Sequence, residues 1–194
     1  MKRFIFVTGQ PGIGKTSVLL KAANELRKKG YKIGGMISSE ARERGVRVGF
    51  EILDVNTGRK GWLAHMDQPT GCQVGKYRVN LNDLDAIGTN SILEAINDAD
   101  VIVVDEIGPM ELLSSAFREA IVNAMKKGKP LVGTIHHSAH DPLITAVKSD
   151  KNTEIIEVTQ ENRQQLHNVI IDRVLQSLQH TSNSKDDDQK RLQS

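Results

Sequence analysis

Short runs rich in β-branched and aromatic residues alternate along the chain with longer stretches in which apolar side chains recur every three or four positions. Phe4–Thr8, Lys32–Ser38, Val101–Asp105, Leu131–His136 and Glu154–Val158 are brief and apolar, the pattern of parallel strands covered on both faces. A first helix is expected from about Lys15 to Lys29, with Val18, Leu19, Ala22 and Leu26 on one face and Gly30 placed to end it. A second falls within Leu84–Asn97, interrupted by Gly88. A third carries Leu112, Leu113, Ala116, Phe117, Ala120, Ile121 and Ala124, and a last, from about Glu161 to Leu178, carries Leu166, Val169, Ile170, Val174 and Leu178. Strands alternating with helices specify an α/β fold, a mostly parallel sheet with helices on both faces.

One region breaks the alternation. Val46–Val55 and Lys60–His65 read as two strands joined by the turn Asn56-Thr57-Gly58, an antiparallel hairpin inserted into the parallel core at about 46–65. Met66 to Asn80 is polar, with Pro69, Gly71 and Gly75, and reads as an ordered loop or lid. Beyond Gln179 the chain is polar and without apolar anchors, so the expected domain spans 1–178 and a disordered tail spans 179–194.

Composition narrows the functional classes. The 194 residues carry 26 Lys+Arg against 24 Asp+Glu, a formal net charge of +2, which leaves little counterion-release drive for nucleic acid as the main ligand. Only 4% of residues are aromatic, so stacking platforms for single strands are few. The single cysteine, Cys72, excludes a disulfide framework and a thiolate zinc cage. No apolar run has the length to cross a bilayer, and Lys2-Arg3 precedes a stretch that stops at Thr8-Gly9 without a cleavage site. The expectation is a cytoplasmic protein with no membrane contact, and no protein partner is indicated.

The chemistry is concentrated at strand ends. Gly9-Gln10-Pro11-Gly12-Ile13-Gly14-Lys15-Thr16 fits G-x-x-x-x-G-K-[ST] at every fixed position and joins an apolar strand to an apolar-faced helix. Four such positions recur by chance in about one chain of this length in a hundred, and the flanking elements lower that figure. Main-chain amides of this loop, with Ser17 following, would converge on nucleotide phosphates at the positive end of the helix dipole. Lys15 would supply a point charge to the β- and γ-phosphates and Thr16 a hydroxyl to Mg²⁺. Asp105 and Glu106 end a buried strand, and strand alternation sends them to different sides, Asp105 to the metal and Glu106 to the attacking water. The next strand offers Thr134 and His136 on one face, His136 as a γ-phosphate sensor; a zinc site from His136, His137, His140 and Asp141 is the rival.

Taken together, Gly9–Thr16, Arg42–Ile52, Gly75-Lys76-Tyr77-Arg78-Val79, Asp105-Glu106-Ile107-Gly108, Met110-Glu111-Leu112 and Gly133-Thr134-Ile135-His136 resemble the small cancer-related nucleoside-triphosphatase family that is widespread in thermophilic prokaryotes. The resemblance covers roughly residues 1–178. It implies a P-loop α/β core of strand order 5-1-4-3-2 with extra antiparallel strands. It implies Mg²⁺-dependent hydrolysis of ATP, GTP and other nucleoside triphosphates, with slow turnover and little discrimination among bases. Position 109 is Pro where many members carry Lys. Arg47, or its neighbours Arg42 and Arg44, would offset transition-state charge, and Tyr77 would stack on the base, close the lid or pack against the sheet. Two other functions fit a phosphate loop: a kinase-like phosphotransferase with 66–80 as its lid, and a non-enzymatic nucleotide switch. No Asn-Lys-x-Asp sequence follows a strand, so guanine selectivity has no visible origin.

Overall fold

The computed structural model describes the backbone of residues 2–191 and side chains through Gln179. Its elements are β1 (Phe4–Thr8), α1 (Lys15–Lys28), β2 (Ile33–Glu43), β3 (Val46–Asp54), β4 (Lys60–His65), β5 (Gln73–Val74) and β6 (Tyr77–Val79). There follow α2 (Leu81–Asp83), a π-helical turn (Leu84–Thr89), α3 (Asn90–Asp98), β7 (Val101–Ile107), a 3₁₀ turn (Glu111–Leu113), α4 (Ser115–Lys127), β8 (Leu131–Ile135), α5 (Pro142–Ser149), β9 (Thr153–Glu157) and α6 (Leu166–Arg191). The strands form one nine-stranded sheet in the order β5-β6-β4-β3-β2-β7-β8-β1-β9.

Five of these strands, β1, β2, β7, β8 and β9, pair in parallel. Counted alone in chain order they lie 5-1-4-3-2, the expected core. Alternation along each strand divides the core into two layers. Phe4, Phe6, Ile102 and Val104 face α3, α4 and α5 through Ile92, Ala95, Phe117, Ile121 and Val147. Ile5, Val7, Val101 and Val103 face α1 and α6 through Leu19, Leu26, Ile170 and Val174. Burying each such Leu, Ile or Phe contributes about 1.5–3 kcal/mol, so the sheet's rigidity comes from both faces at once.

The insertion begins earlier than the hydrophobic pattern suggests. β2 does not stop at Ser38: past Ile37 it leaves its parallel partner β7 and continues to Glu43 as one arm of an antiparallel hairpin with β3. The reversal is the two-residue turn Arg44-Gly45, with φ of 49° and 81°, the primed geometry that suits strand twist. The run Ser38 to Glu43, polar but for Ala41, obscured this strand because both of its faces are open there. Asp54 nucleates the next turn by accepting from the amides of Asn56 and Thr57. The stretch 66–80 contains a small hairpin, β5–β6, whose second strand pairs with β4 and buries Tyr77 and Val79.

Helix boundaries follow local chemistry. Ser114 caps α4 by accepting from the Phe117 amide at 3.0 Å, so Leu112 and Leu113 fall in the preceding 3₁₀ turn and not in the helix. Gly88 sits in the π-helical turn, and a Cβ there would lie 2.9 Å from Met36 Sδ, so the close approach explains its place inside an otherwise helical pattern. The sequence pattern missed α5, although Asp141-Pro142 is a cap followed by proline at the first helical position. The last helix begins at Leu166 and not near Glu161, and it continues to Arg191; residues 192–194 of the expected tail lie outside the described residues. A helix once formed propagates through polar residues at one hydrogen bond each, which composition alone does not exclude.

Candidate active site

The C-terminal ends of β1, β2 and β7, and the residues following β8, open on one cavity of about 780 Å³. This is where open α/β sheets hold ligands. Gly9, Gln10, Pro11, Gly12, Gly14, Lys15, Thr16 and Ser17 line it, while Ile13 turns away and packs in the core beneath α1. The loop is closed by Ile13 donating its amide to the Gln10 carbonyl at 3.2 Å. Gly14 occupies the position before α1 with φ of 109°, a conformation that a side chain resists, and no side chain caps the helix there. The first amides of α1 therefore face the cavity side with their donors available to an anion. Lys15 Nζ folds back over the loop and donates to the carbonyls of Gly9 at 3.1 Å and Gln10 at 3.4 Å.

Asp105 and Glu106 line the same cavity, contrary to the simple alternation of a strand. β7 slips register against β8 between Val104 and Ile107, and such an irregularity re-aims the side chains within it. Asp105 is 2% exposed; its Oδ1 accepts from the Thr134 hydroxyl, and its Oδ2 has no hydrogen-bond partner among the described residues. Burial pushes Asp105 up to about 6, with the Thr134 and Thr16 hydroxyls pulling in the other direction. A buried carboxylate oxygen with no donor, beside a threonine hydroxyl at a phosphate loop, is the donor set that a hard divalent cation completes. Asp105 and Thr16 thus fit Mg²⁺. Burial also raises Glu106, and the Lys15 charge opposes it, so this carboxyl is shifted toward the range of a general base.

A third carboxyl lies behind these two. Glu111, 4% exposed in the 3₁₀ turn, is pushed up to about 8 by burial, which outweighs its own amide and that of Gly108 and is reinforced by Glu106 and Asp105. Because this value lies above the ordinary 4.5, the folded chain keeps a proton between those limits that the unfolded chain loses, and folding weakens as pH rises through the interval. Glu111→Gln keeps the shape without the ionisation. Thermal melts should show the variant gaining stability relative to the parent chain from pH 5 to pH 8, by about 2–4 °C or more in Tm. A pH-independent difference would show that Glu111 is ionised in the fold.

His136, next after β8, also lines the cavity. Its Nδ1 accepts from the amides of Ala139 at 2.9 Å and Ser138 at 3.3 Å, so the neutral ring carries its proton on Nε2. Burial, followed by the charges of Lys15, Lys148 and His137, holds its pKa below the ordinary value. The arrangement suits a neutral hydrogen-bond donor. It does not suit the zinc alternative: Asp141 is engaged by Arg118 at 2.7 Å and by the cap of α5, and among the described residues no three His, Cys, Asp or Glu side chains are grouped around a metal position.

The structure separates the three arginines. Arg42 and Arg47 line the cavity, whereas Arg44 sits in the turn at the hairpin tip and does not. Arg47 Nε donates to the Tyr77 hydroxyl at 3.0 Å, and Tyr77 packs edge-on against Phe50 with ring centroids 5.2 Å apart. Tyr77 is 5% exposed and does not line the cavity, so of the roles considered it takes packing against the sheet. Ser38, Ser39, Glu40, Phe50 and Ser138 also line the cavity and were not singled out in the sequence; His137, considered there only as a zinc ligand, lines it too. The continuation of β2 past Ser38 was the missing signal for the first three. A second cavity, of about 790 Å³, lies at the opposite ends of the strands around Arg27, Tyr31, Asn56, Glu94 and Asp98 and holds none of this chemistry.

Among known proteins, a family model described as NTPase matches residues 4–171. The chain is 43% identical over 175 residues to the nucleoside-triphosphatase THEP1 of Methanosarcina acetivorans, covering 90% of this chain and 98% of that one. It is 40% identical over 167 residues to the THEP1 of Thermotoga maritima, covering 86% and 92%. Of solved structures, THEP1 from Aquifex aeolicus superposes with a TM-score of 0.80 at 29% identity, covering 88% of this chain and 98% of that one. The solution structure of a human cancer-related nucleoside triphosphatase gives 0.75 at 31%, covering 89% and 97%.

Proposed function

The chain belongs to the NTPase family and is a nucleoside-triphosphatase, and from that premise we propose how its cavity hydrolyses a nucleoside triphosphate to diphosphate and phosphate. The amides of Gly9 to Thr16 and the Lys15 ammonium grip the β- and γ-phosphates. The Thr16 hydroxyl and the Asp105 carboxylate would hold Mg²⁺, which would supply charge neutralisation for the phosphates. Glu106 orients a water and takes its proton as the water oxygen bonds to the γ-phosphorus and the bond to the β-phosphate oxygen breaks. Arg47 offsets charge on the departing phosphoryl group, and the His136 Nε2–H donates to a γ-phosphate oxygen.

One observation carries this reading: the phosphate loop, the donorless oxygen of buried Asp105 and the raised carboxyl of Glu106 meet in a single cavity. The family resemblance implies little discrimination among bases, and no guanine-selective sequence follows a strand, so ATP, GTP, CTP and UTP are all taken as substrates. We place the reaction in the cytoplasm; the one cysteine, Cys72, is an exposed free thiol, and among the described residues no helix is long and apolar enough to cross a membrane.

Phosphate release is the direct test, measured for the four triphosphates with Mg²⁺ and with excess chelator. Release from all four, lost on chelation, is expected; transfer of γ-label to an organic acceptor faster than to water would overturn hydrolysis in favour of a phosphotransferase. In the same assay Arg47→Ala should lower kcat about 10–100-fold with little change in nucleotide affinity, the mark of a contact made in the transition state. Equal turnover would remove Arg47 from the mechanism.

A further inference from the structure

Glu40 places a negative charge on the wall of a cavity built for a polyanion. Left alone it would repel the triphosphate, so its surroundings decide what it is for. Its Oε1 accepts from Arg47 Nη1 at 2.6 Å, and its Oε2 accepts from Arg42 Nη2 at 2.6 Å and from Arg42 Nε at 3.2 Å. One carboxylate is thus shared by two guanidinium groups. Burial works against the charged form, but the hydrogen bonds from Arg42 and Arg47 prevail and hold Glu40 below the ordinary carboxylate range.

The two arginines are not equivalent. Arg42 gives its remaining nitrogen, Nη1, to the Gly45 carbonyl at 3.0 Å, so all three of its nitrogens are spent within the hairpin. Arg47 gives Nε to Tyr77 and Nη1 to Glu40, and its Nη2 makes no hydrogen bond among the described residues. The guanidinium also lies against two rings, 5.2 Å from the centroid of Phe50 and 5.9 Å from that of Tyr77. Held by two hydrogen bonds and two ring contacts, a side chain that ordinarily samples many rotamers is confined before any ligand arrives. Confinement of this kind matters in catalysis because a group already in place does not reorganise as charge develops.

We propose that Glu40 is a positioning residue for the hydrolysis: it holds Nη1 of Arg47 from β2 while Tyr77 holds Nε from β6, leaving Nη2 as the one prong directed to the terminal phosphate. This rests on the role assigned to Arg47 above. The Glu40 charge also tempers the attraction of Arg47 for a bound triphosphate in the ground state, so its neutralisation lowers kcat without raising KM. Tyr77, and with it the β5–β6 hairpin docked on β4, belongs to the same support.

The test is steady-state phosphate release from ATP by Glu40→Gln, Tyr77→Phe, Arg47→Ala and the double variant Glu40→Gln/Arg47→Ala. Binding of ADP and of ADP with aluminium fluoride is measured alongside, and folding is checked by thermal melts. Glu40→Gln is expected to lose about tenfold in kcat, with KM unchanged or lower, and to bind the aluminium fluoride complex about tenfold more weakly while binding ADP as before. Tyr77→Phe moves the same way by a smaller factor, and the double variant is no slower than Arg47→Ala, because Glu40 acts through Arg47. A slow Arg47→Ala beside a Glu40→Gln of undiminished kcat overturns this inference and leaves the role of Arg47 standing. Undiminished turnover by Arg47→Ala overturns both. A double variant slower than Arg47→Ala, or a Glu40→Gln effect confined to KM, also overturns it. Should Glu40→Gln fail to fold, an undiminished kcat in Tyr77→Phe does the same, and a reduced kcat with unchanged KM supports it.

Discussion

Lys15→Ala is expected to weaken triphosphate binding at least about a hundredfold in calorimetry, near 3 kcal/mol, and to remove phosphate release at ordinary substrate concentrations. The ammonium is the one side-chain cation at the head of α1 within the loop, and in the folded chain it already bends over the carbonyls of Gly9 and Gln10. In the proposed mechanism phosphate oxygens would replace those contacts, so the lysine would lose little on leaving them. Alanine leaves the loop amides and the helix dipole in place but takes away the mobile charge that reaches the terminal phosphates. The melting temperature without nucleotide should stay within about 2 °C of the parent chain, since the two bonds lost are partly exposed. Binding undiminished in this variant would contradict the assignment of the loop itself.

Glu106→Gln separates grip from chemistry. The amide has the shape of the carboxyl but takes up no proton, so affinity for triphosphate should remain within about threefold of the parent chain while kcat falls about 10²–10⁴-fold. Burial has already raised Glu106 toward the pH at which a base works best, and the adjacent Lys15 limits that rise. Asp105, buried more deeply and joined to Thr134, is placed to hold and not to shuttle. Single-turnover phosphate release with calorimetric affinity in parallel checks the split. Undiminished turnover would exclude Glu106 as the base, whereas a joint collapse of binding and rate would move it to the cation site.

Legibility in the sequence followed how local each feature is. Gly9 to Thr16 is a contiguous motif whose backbone we propose grips the phosphates, and its strand and helix neighbours carry their own periodic signatures. Asp105 and Glu106 were visible because two acids directly after an apolar run mark the strand end at which a parallel sheet meets its ligand. Glu40, by contrast, lies in a polar stretch of β2 that reads as the end of a strand. Only its antiparallel partner β3, with Glu40 set opposite Phe50, shows that the strand goes on and brings the carboxylate to the cavity. For Tyr77 the sequence left base stacking, lid closure and packing against the sheet open, and the pairing of β6 with β4 selects the last, with the hydroxyl held by Arg47.

Hydrophobic periodicity and turn chemistry therefore determined on their own the α/β layering, the five parallel strands and the phosphate loop, since each is encoded in residues that are neighbours along the chain. Tertiary structure alone decided which arginine keeps a free nitrogen, that both carboxyls at 105 and 106 share one cavity, and that a third at 111 is buried behind them. Those outcomes depend on strand register and on how side chains far apart in sequence exclude water from one another. A single chain read in order holds no record of either until the sheet has closed.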